Sequence, residues 1–292
     1  DLEAPTGHKR RLQAHDASHR IGTYVHCGVR EHVMGALANG MAAHGGVMPL
    51  AVTYLAFADY QRPAMRMAAL MGLPVRFVFS HDSIGIGRNG PTHQPVEILA
   101  SLRAMPGMRV LRPADAVEAA ECWEIALEHR SGPSTLVFAR QSLPHVRSAA
   151  SAAAALNLSR RGAYVLAEAD AALGPRRVTL LATGSEVAIA LSARDLLQDR
   201  GIACAVVSMP CWELFEAQDS AWRASVLGVG TVRVGCEAAM RFGWDRWLGE
   251  RGAFVGMTGF GACGTAEELY RHFGITAEAI VDQALRLLAE PD

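Results

Sequence analysis

The sequence predicts an α/β protein of two consecutive domains, each with a mostly parallel sheet covered by helices. Three observations lead there. Apolar runs of strand length alternate with helix-period stretches along almost the whole chain, the pattern of parallel strands joined by helical crossovers. A small-residue segment, SAASAAAALNLS at 148–159, interrupts that alternation near the middle. A length of 292 residues, half of them hydrophobic, is enough for two ordinary cores.

Taken in order, residues 23–26, 48–53, 75–80, 108–111 and 135–139 read as strands. Helical stretches at 31–43, 57–71, 95–104 and 116–129 lie between them, with Asp115 as the expected N-cap of the last. This unit covers 1–147, and 148–159 is the expected linker. A second unit over 160–292 has strands at 178–182, 202–208, 231–236 and 254–257, alternating with helices at 187–198, 266–272 and 276–288. Within it, TGSE at 183–186 occupies a strand-to-helix junction. Such a turn can hold a phosphate on the helix N-terminus, but it also makes an ordinary tight turn with a serine cap.

The segment HDSIGIGRNGPTHQP at 81–95 is the most informative in the chain. It follows the apolar run VRFVFS and leads toward a helix near Pro95, so it crosses the carboxyl edge of the sheet, where open α/β folds bind ligands. Its glycines at 85, 87 and 90 permit backbone angles and close approaches that side chains forbid. Long ordered loops in compact domains are more often functional than idle.

Composition narrows the classes. A formal net charge of −1 without basic clusters argues against nucleic acid or an anionic membrane as the main partner. The longest apolar runs have strand length, so no membrane span is expected. Six cysteines show neither a CxxC pair nor metal-ligand spacing and read as reduced thiols of a cytoplasmic protein. The first residue is Asp1 rather than Met, which makes a piece of a longer chain the expectation.

Several motifs in fixed order resemble the transketolase family. They are GVREH at 28–32, NGM at 39–41, HGG at 44–46, RMAAL at 66–70, the 81–95 loop, LRPAD at 111–115 and ARQSL at 139–143. The second unit continues the likeness through ATGSEV at 182–187, VVSMPCWELF at 206–215 and FGACGTAEELYRHFGIT at 260–276. The resemblance implies a thiamine diphosphate-binding pyrimidine domain followed by the family's C-terminal domain. It implies transfer of a two-carbon ketol unit between sugar phosphates. The family's diphosphate-binding domain, whose GDG…N motif holds Mg²⁺ and the diphosphate, would precede both, and no GDG occurs here. The expectation is therefore a fragment, inactive alone, that works beside a diphosphate-binding domain in a two-fold homodimer.

The resemblance also implies roles. Glu31 would hydrogen-bond N1′ of the cofactor's aminopyrimidine and favour its imino form. A carboxyl that donates there needs a desolvated site. Tyr54, Phe57 and Tyr60 recur every three residues, as along one helical face, and would surround the pyrimidine, with Phe57 stacked on it. The same stripe could be plain core. His81 and His93 would hydrogen-bond the donor sugar, and Arg140 would hold its phosphate. A structural histidine pair and a domain-edge salt bridge are the alternatives.

Two positions depart from the family's wording. Arg88 and Asn89 stand where two acids are usual, the second of which contacts the donor's C2 hydroxyl. Asn89 keeps hydrogen-bonding capacity without charge. Cys27 replaces a usual Tyr, with an expected effect on local packing only. A deoxyxylulose-phosphate synthase, a 2-oxoacid dehydrogenase β subunit or a non-catalytic subunit of the same fold are the rival readings. The wording of the 81–95 loop and of SMPCWELF favours transketolase over the two enzymes, and the presence of Glu31 weighs against the non-catalytic subunit.

Overall fold

The computed structural model describes residues 13–147 and 156–290. Most of the expected linker, 148–155, lies outside the described residues. Its last part does not hang free: residues Leu158–Arg161 form a 3₁₀ turn, and buried Ser159 donates to Glu121 Oε2 at 2.6 Å.

The first unit runs α1 (Glu31–His44), β1 (Leu50–Tyr54), α2 (Ala58–Leu70), β2 (Arg76–Ser80), α3 (Ile98–Arg103), β3 (Arg109–Leu111), α4 (Ala116–Glu128) and β4 (Ser134–Val137). Its sheet has the order β1-β2-β4-β3 and is parallel throughout. Both faces are covered, so the strands read as continuous apolar runs. Within β2, Phe77 and Phe79 join the core under α1, α2 and α3, while Val78 between them faces the α4 side.

The second unit contains β5 (Tyr164–Ala167), β6 (Val178–Ala182), α5 (Glu186–Gln198), β7 (Cys204–Ser208), α6 (Trp212–Glu216), α7 (Ser220–Leu227), β8 (Val232–Met240), α8 (Asp245–Leu248), β9 (Ala253–Met257), α9 (Ala266–His272) and α10 (Ala277–Ala289). Its order is β5-β7-β6-β8-β9, with β5 antiparallel at the edge. Val178, Leu180 and Ala182 of β6 pack against α5 and α10. Leu181 faces the opposite side, where Trp212, Phe215, Trp244 and Trp247 form an aromatic core.

The two-domain α/β class is therefore observed, with three local corrections. Residues 23–26 are no strand: Tyr24 pairs in one isolated bridge with Ala14, and the segment joins neither sheet. The helix expected from Pro95 begins at Ile98, since Gln94 is extended and its amide is tied to Gly87 O and Ala262 O. At the TGSE junction Gly184 does turn, with φ +57, but Ser185 makes no capping bond. Arg112 from the other unit fills the turn instead, its Nε 2.6 Å from where a Cβ on Gly184 would lie. The helices α6, α7 and α8 and strand β5 are additions to the expected set. Among the described residues no helix is long and apolar enough to cross a membrane.

Asp115 caps α4 as expected: Oδ1 accepts from Val117 N at 3.0 Å and Glu118 N at 2.9 Å. Its second oxygen accepts from Val146 N and Arg147 N, both at 3.1 Å. Four backbone donors, two of them on buried residues, thus depend on one carboxylate. We expect Asp115→Ala to cost about 2 kcal/mol or more, at or above the top of the range for a cap. A urea melt with unchanged slope and a lowered midpoint measures it.

Candidate functional site

The carboxyl ends of β1 and β2 point the same way, so the residues just beyond them converge. Tyr54 closes β1, Phe57 ends a 3₁₀ turn and Tyr60 lies in the first turn of α2. The three therefore do not share one helical face. A strand end, a turn and a helix start bring them together instead, with ring centroids 6.0 Å apart for Tyr54–Phe57 and 6.2 Å for Phe57–Tyr60. The histidines of the 81–95 loop extend this aromatic group. His81 stacks on Tyr54 at 3.6 Å, and His93 meets Phe57 edge-on at 5.6 Å.

All of these rings except His81 border a cavity of 610 Å³ lined in part by Glu31, Thr53, Tyr54, Phe57, Tyr60 and His93. Glu31 is the first residue of α1 and partly exposed. Thr53 is buried, and its Oγ1 has no hydrogen-bond partner among the described residues. A flat aromatic wall, an acid at its rim and an unpartnered hydroxyl fit an aminopyrimidine, which offers faces to stack and ring nitrogens to bond. Among the described residues no group of three or more metal-ligating side chains occurs.

The sequence reading missed the segment 24–29, which forms one cavity wall, and Met34. Cys27 belongs to that wall, so its place is at the site rather than in local packing alone. Burial raises its thiol pKa, with Arg30 opposing. The sequence read its start as a strand and its end as part of GVREH, but only tertiary approach places it beside the aromatic rings.

His81 carries the only positive φ of a non-glycine among the described residues, +64. Its Nδ1 lies 2.7 Å from Ser80 Oγ, which leaves Nε2 for a second partner. Burial, then the charge of Arg140, lowers its pKa to about 4, against Asp82 and with a further contribution from His93. The ring is therefore neutral at pH 7. His93 Nδ1 sits 2.9 Å from Thr92 Oγ1. Arg140 is exposed just beyond β4, close enough to act on His81. Arg88 and Asn89 are exposed on the turn between Gly87 and Gly90, and neither lines the cavity.

His129, 3.1 Å from Ser134 Oγ, is also held at about 4, by burial and then by Arg109 and Arg76. Both histidines are thus depressed from 6.5. Between pH 6.5 and about 4 the unfolded chain binds protons that the folded chain refuses, so stability falls as pH drops through that window. We expect unfolding there to take up about two extra protons, a slope that His81→Asn/His129→Asn removes from thermal melts recorded across pH.

Two family models match the chain: "Transketolase, pyrimidine binding domain" over residues 1–146 and "Transketolase-like TK C-terminal domain" over 162–276. The transketolase of Sinorhizobium medicae is 59% identical over 268 residues, covering 91% of this chain and 38% of the relative. That of Cereibacter sphaeroides is 59% identical over 263 residues, covering 90% and 39%. The chain thus spans about two fifths of these curated relatives' length. The solved transketolase from Leishmania mexicana superposes with a TM-score of 0.88 at 40% identity, covering 96% of this chain and 40% of that one. A solved "Split gene transketolase, inactive beta4 tetramer" covers 89% of this chain and 82% of its own, at 25% identity and a TM-score of 0.74. Models of one family's two domains, in order, account for nearly all of the sequence: the chain belongs to the transketolase family.

Proposed function

We propose that this chain supplies the pyrimidine-binding portion (1–147), linker (148–159) and C-terminal portion (160–292) of a transketolase acting on sugar phosphates with thiamine diphosphate. The observation that carries the proposal is the meeting of Glu31, Tyr54, Phe57, Tyr60 and His93 on one cavity, in a chain of this family. Thiamine diphosphate, when bound, supplies the carbon nucleophile that accepts the ketol unit. Everything else falls to side chains. Phe57 stacks on the pyrimidine, Tyr54 and Tyr60 flank it, and Glu31 holds a proton at N1′.

Glu31 is partly exposed here, so a desolvated site for it needs a cover from outside the chain. The surface beside it fits such a closure. Val33, Leu37 and Met41 recur at four-residue spacing along α1 with their side chains exposed, beside a groove of 590 Å³. We place a second copy and a diphosphate-binding domain carrying Mg²⁺ against this face. The domain is on the same longer chain or a separate subunit. Six unpaired thiols accord with a cytoplasmic setting.

Toward the sugar, neutral His81 presents Nε2, and with Ser80 donating to Nδ1 that nitrogen carries the proton and donates to the donor's oxygen. His93, whose Nδ1 meets Thr92 Oγ1, offers Nε2 to the sugar as well, and Arg140 attracts the phosphate. Asn89 offers an amide to a hydroxyl without the charge that an acid would place there.

The purified chain with thiamine diphosphate and Mg²⁺ should show no ketol transfer; measurable turnover would overturn the need for a second domain. Combined with a diphosphate-binding domain, it should turn over, and Glu31→Gln should lower kcat by at least about 100-fold with circular dichroism unchanged. In that assembly Asn89→Asp should change the ratio of kcat/KM values between two ketose donors. Identical ratios would remove Asn89 from the substrate contacts.

A further inference from the structure

The loop that carries His81 and His93 does not rest on its own domain alone. Asp82, buried beside His81, accepts from Arg112 Nη2 at 2.6 Å and Nε at 3.1 Å. Arg112 Nη1 reaches across to the C-terminal half, donating to Glu186 Oε2 at 2.6 Å and Thr183 O at 2.9 Å. Glu237 Oε1 lies 3.3 Å away, and its carboxylate is also paired with Arg103 at 2.7 and 2.8 Å. The cluster thus holds three carboxylates against two guanidiniums, with all five side chains nearly out of water. A surplus buried carboxylate needs neutral donors.

Tyr270 of α9 is such a donor. Its hydroxyl donates to Glu186 Oε1 at 2.5 Å and stands 3.2 Å from Ser185 Oγ and 3.4 Å from Ser83 Oγ. Ser83 Oγ in turn donates to Asp82 Oδ1 at 3.1 Å and accepts from Gly85 N at 3.2 Å, starting the 3₁₀ turn Ile84–Ile86. The same strip of the C-terminal half supports the rest of the loop. Gln94 Nε2 bridges Gly87 O and Ala262 O at 3.0 and 2.9 Å, and Cys263 Sγ lies 3.3 Å from Arg88 O. Gly87 has φ +75, and a Cβ there would come within 3.2 Å of Gly264 O.

We propose that Tyr270 is a positioning residue: through its hydroxyl, joined to Ser83 and to the Asp82–Arg112–Glu186 cluster, the C-terminal domain holds the histidine loop in its strained, substrate-facing form. The proposal rests on the functional reading above for its catalytic meaning, though not for its geometry. A positive φ at His81 persists only where neighbouring contacts over-determine it; Ser80, Tyr54 and Arg112 supply some from its own domain, and Ser185 and Tyr270 add those of the C-terminal half, on Asp82 and Ser83.

Tyr270→Phe tests this, with Tyr164→Phe as the matched control. Tyr164 also donates from a buried hydroxyl to a buried carboxylate, Glu118 Oε1 at 2.6 Å, in a cluster that does not touch the loop. Both variants of the full chain should melt at lower temperature. Only Tyr270→Phe should raise amide hydrogen exchange across 81–94, by about tenfold or more, as local opening becomes easier. By NMR, His81, which faces Arg140, Asp82 and His93, should titrate nearer 6.5 in that variant alone. Should Tyr270→Phe fail to fold, Ser185→Ala removes a hydroxyl of the same cluster from the C-terminal side and should give the same pattern. Exchange over 81–94 that matches wild type, or rises equally in the control, overturns the proposal. In the assembled enzyme the donor KM should rise more than kcat falls. Absence of ketol transfer by the wild-type assembly would defeat the functional reading instead, while the exchange comparison still decides the role of Tyr270.

Discussion

The Arg112 guanidinium, 1% exposed, is the interaction on which the rest of the structure turns. It leaves the end of β3 in one domain, grips Asp82 at the root of the 81–95 loop, and enters the Gly184 turn of the other domain. Burial alone would pull its pKa down; Glu186, then Asp82 and Glu237, reverse that and keep it charged. Such a cluster is weak evidence for stability, because desolvating five ionised groups consumes most of what their attraction returns. Its consequence is geometric. Removing either arginine leaves buried carboxylates unmatched, so the two domains and the loop are tied together through these guanidiniums.

That arrangement explains why the candidate site sits where it does. Parallel strands deliver Tyr54 and His81 to one edge, and Gly87, the Arg88 carbonyl and Gln94 then meet residues 262–264. The cavity wall that this chain provides is aromatic and rigid on the β1–β2 side, and irregular on the side formed by residues 24–29. Glu31 joins the two. It is partly exposed at the start of α1, the helix on which Val33, Leu37 and Met41 are also exposed.

Much of this was legible in the chain itself. Strand-to-helix alternation predicted both sheets because fully buried parallel strands must be apolar on both faces, as Phe77, Val78 and Phe79 are. The Asp115 cap was legible because its chemistry is local, spanning two or three residues. Motif order pointed to Glu31, His81 and His93. The spacing of Tyr54, Phe57 and Tyr60 singled out three rings that do meet, but a strand, a turn and a helix bring them together where one helical face was expected.

By itself, the sequence determined which segments are buried, where helices begin, and which residues resemble those of a known family. Tertiary structure decided the rest: that residues 23–26 pair with almost nothing, that TGSE receives an arginine, and that Tyr270 stands within reach of Ser83. The reason lies in range. Periodicity and capping act over a few residues and leave a mark in composition. A contact between Arg112 and Glu186, or Ser83 and Tyr270, joins positions 74 and 187 residues apart, and no local pattern records which of many polar side chains will meet.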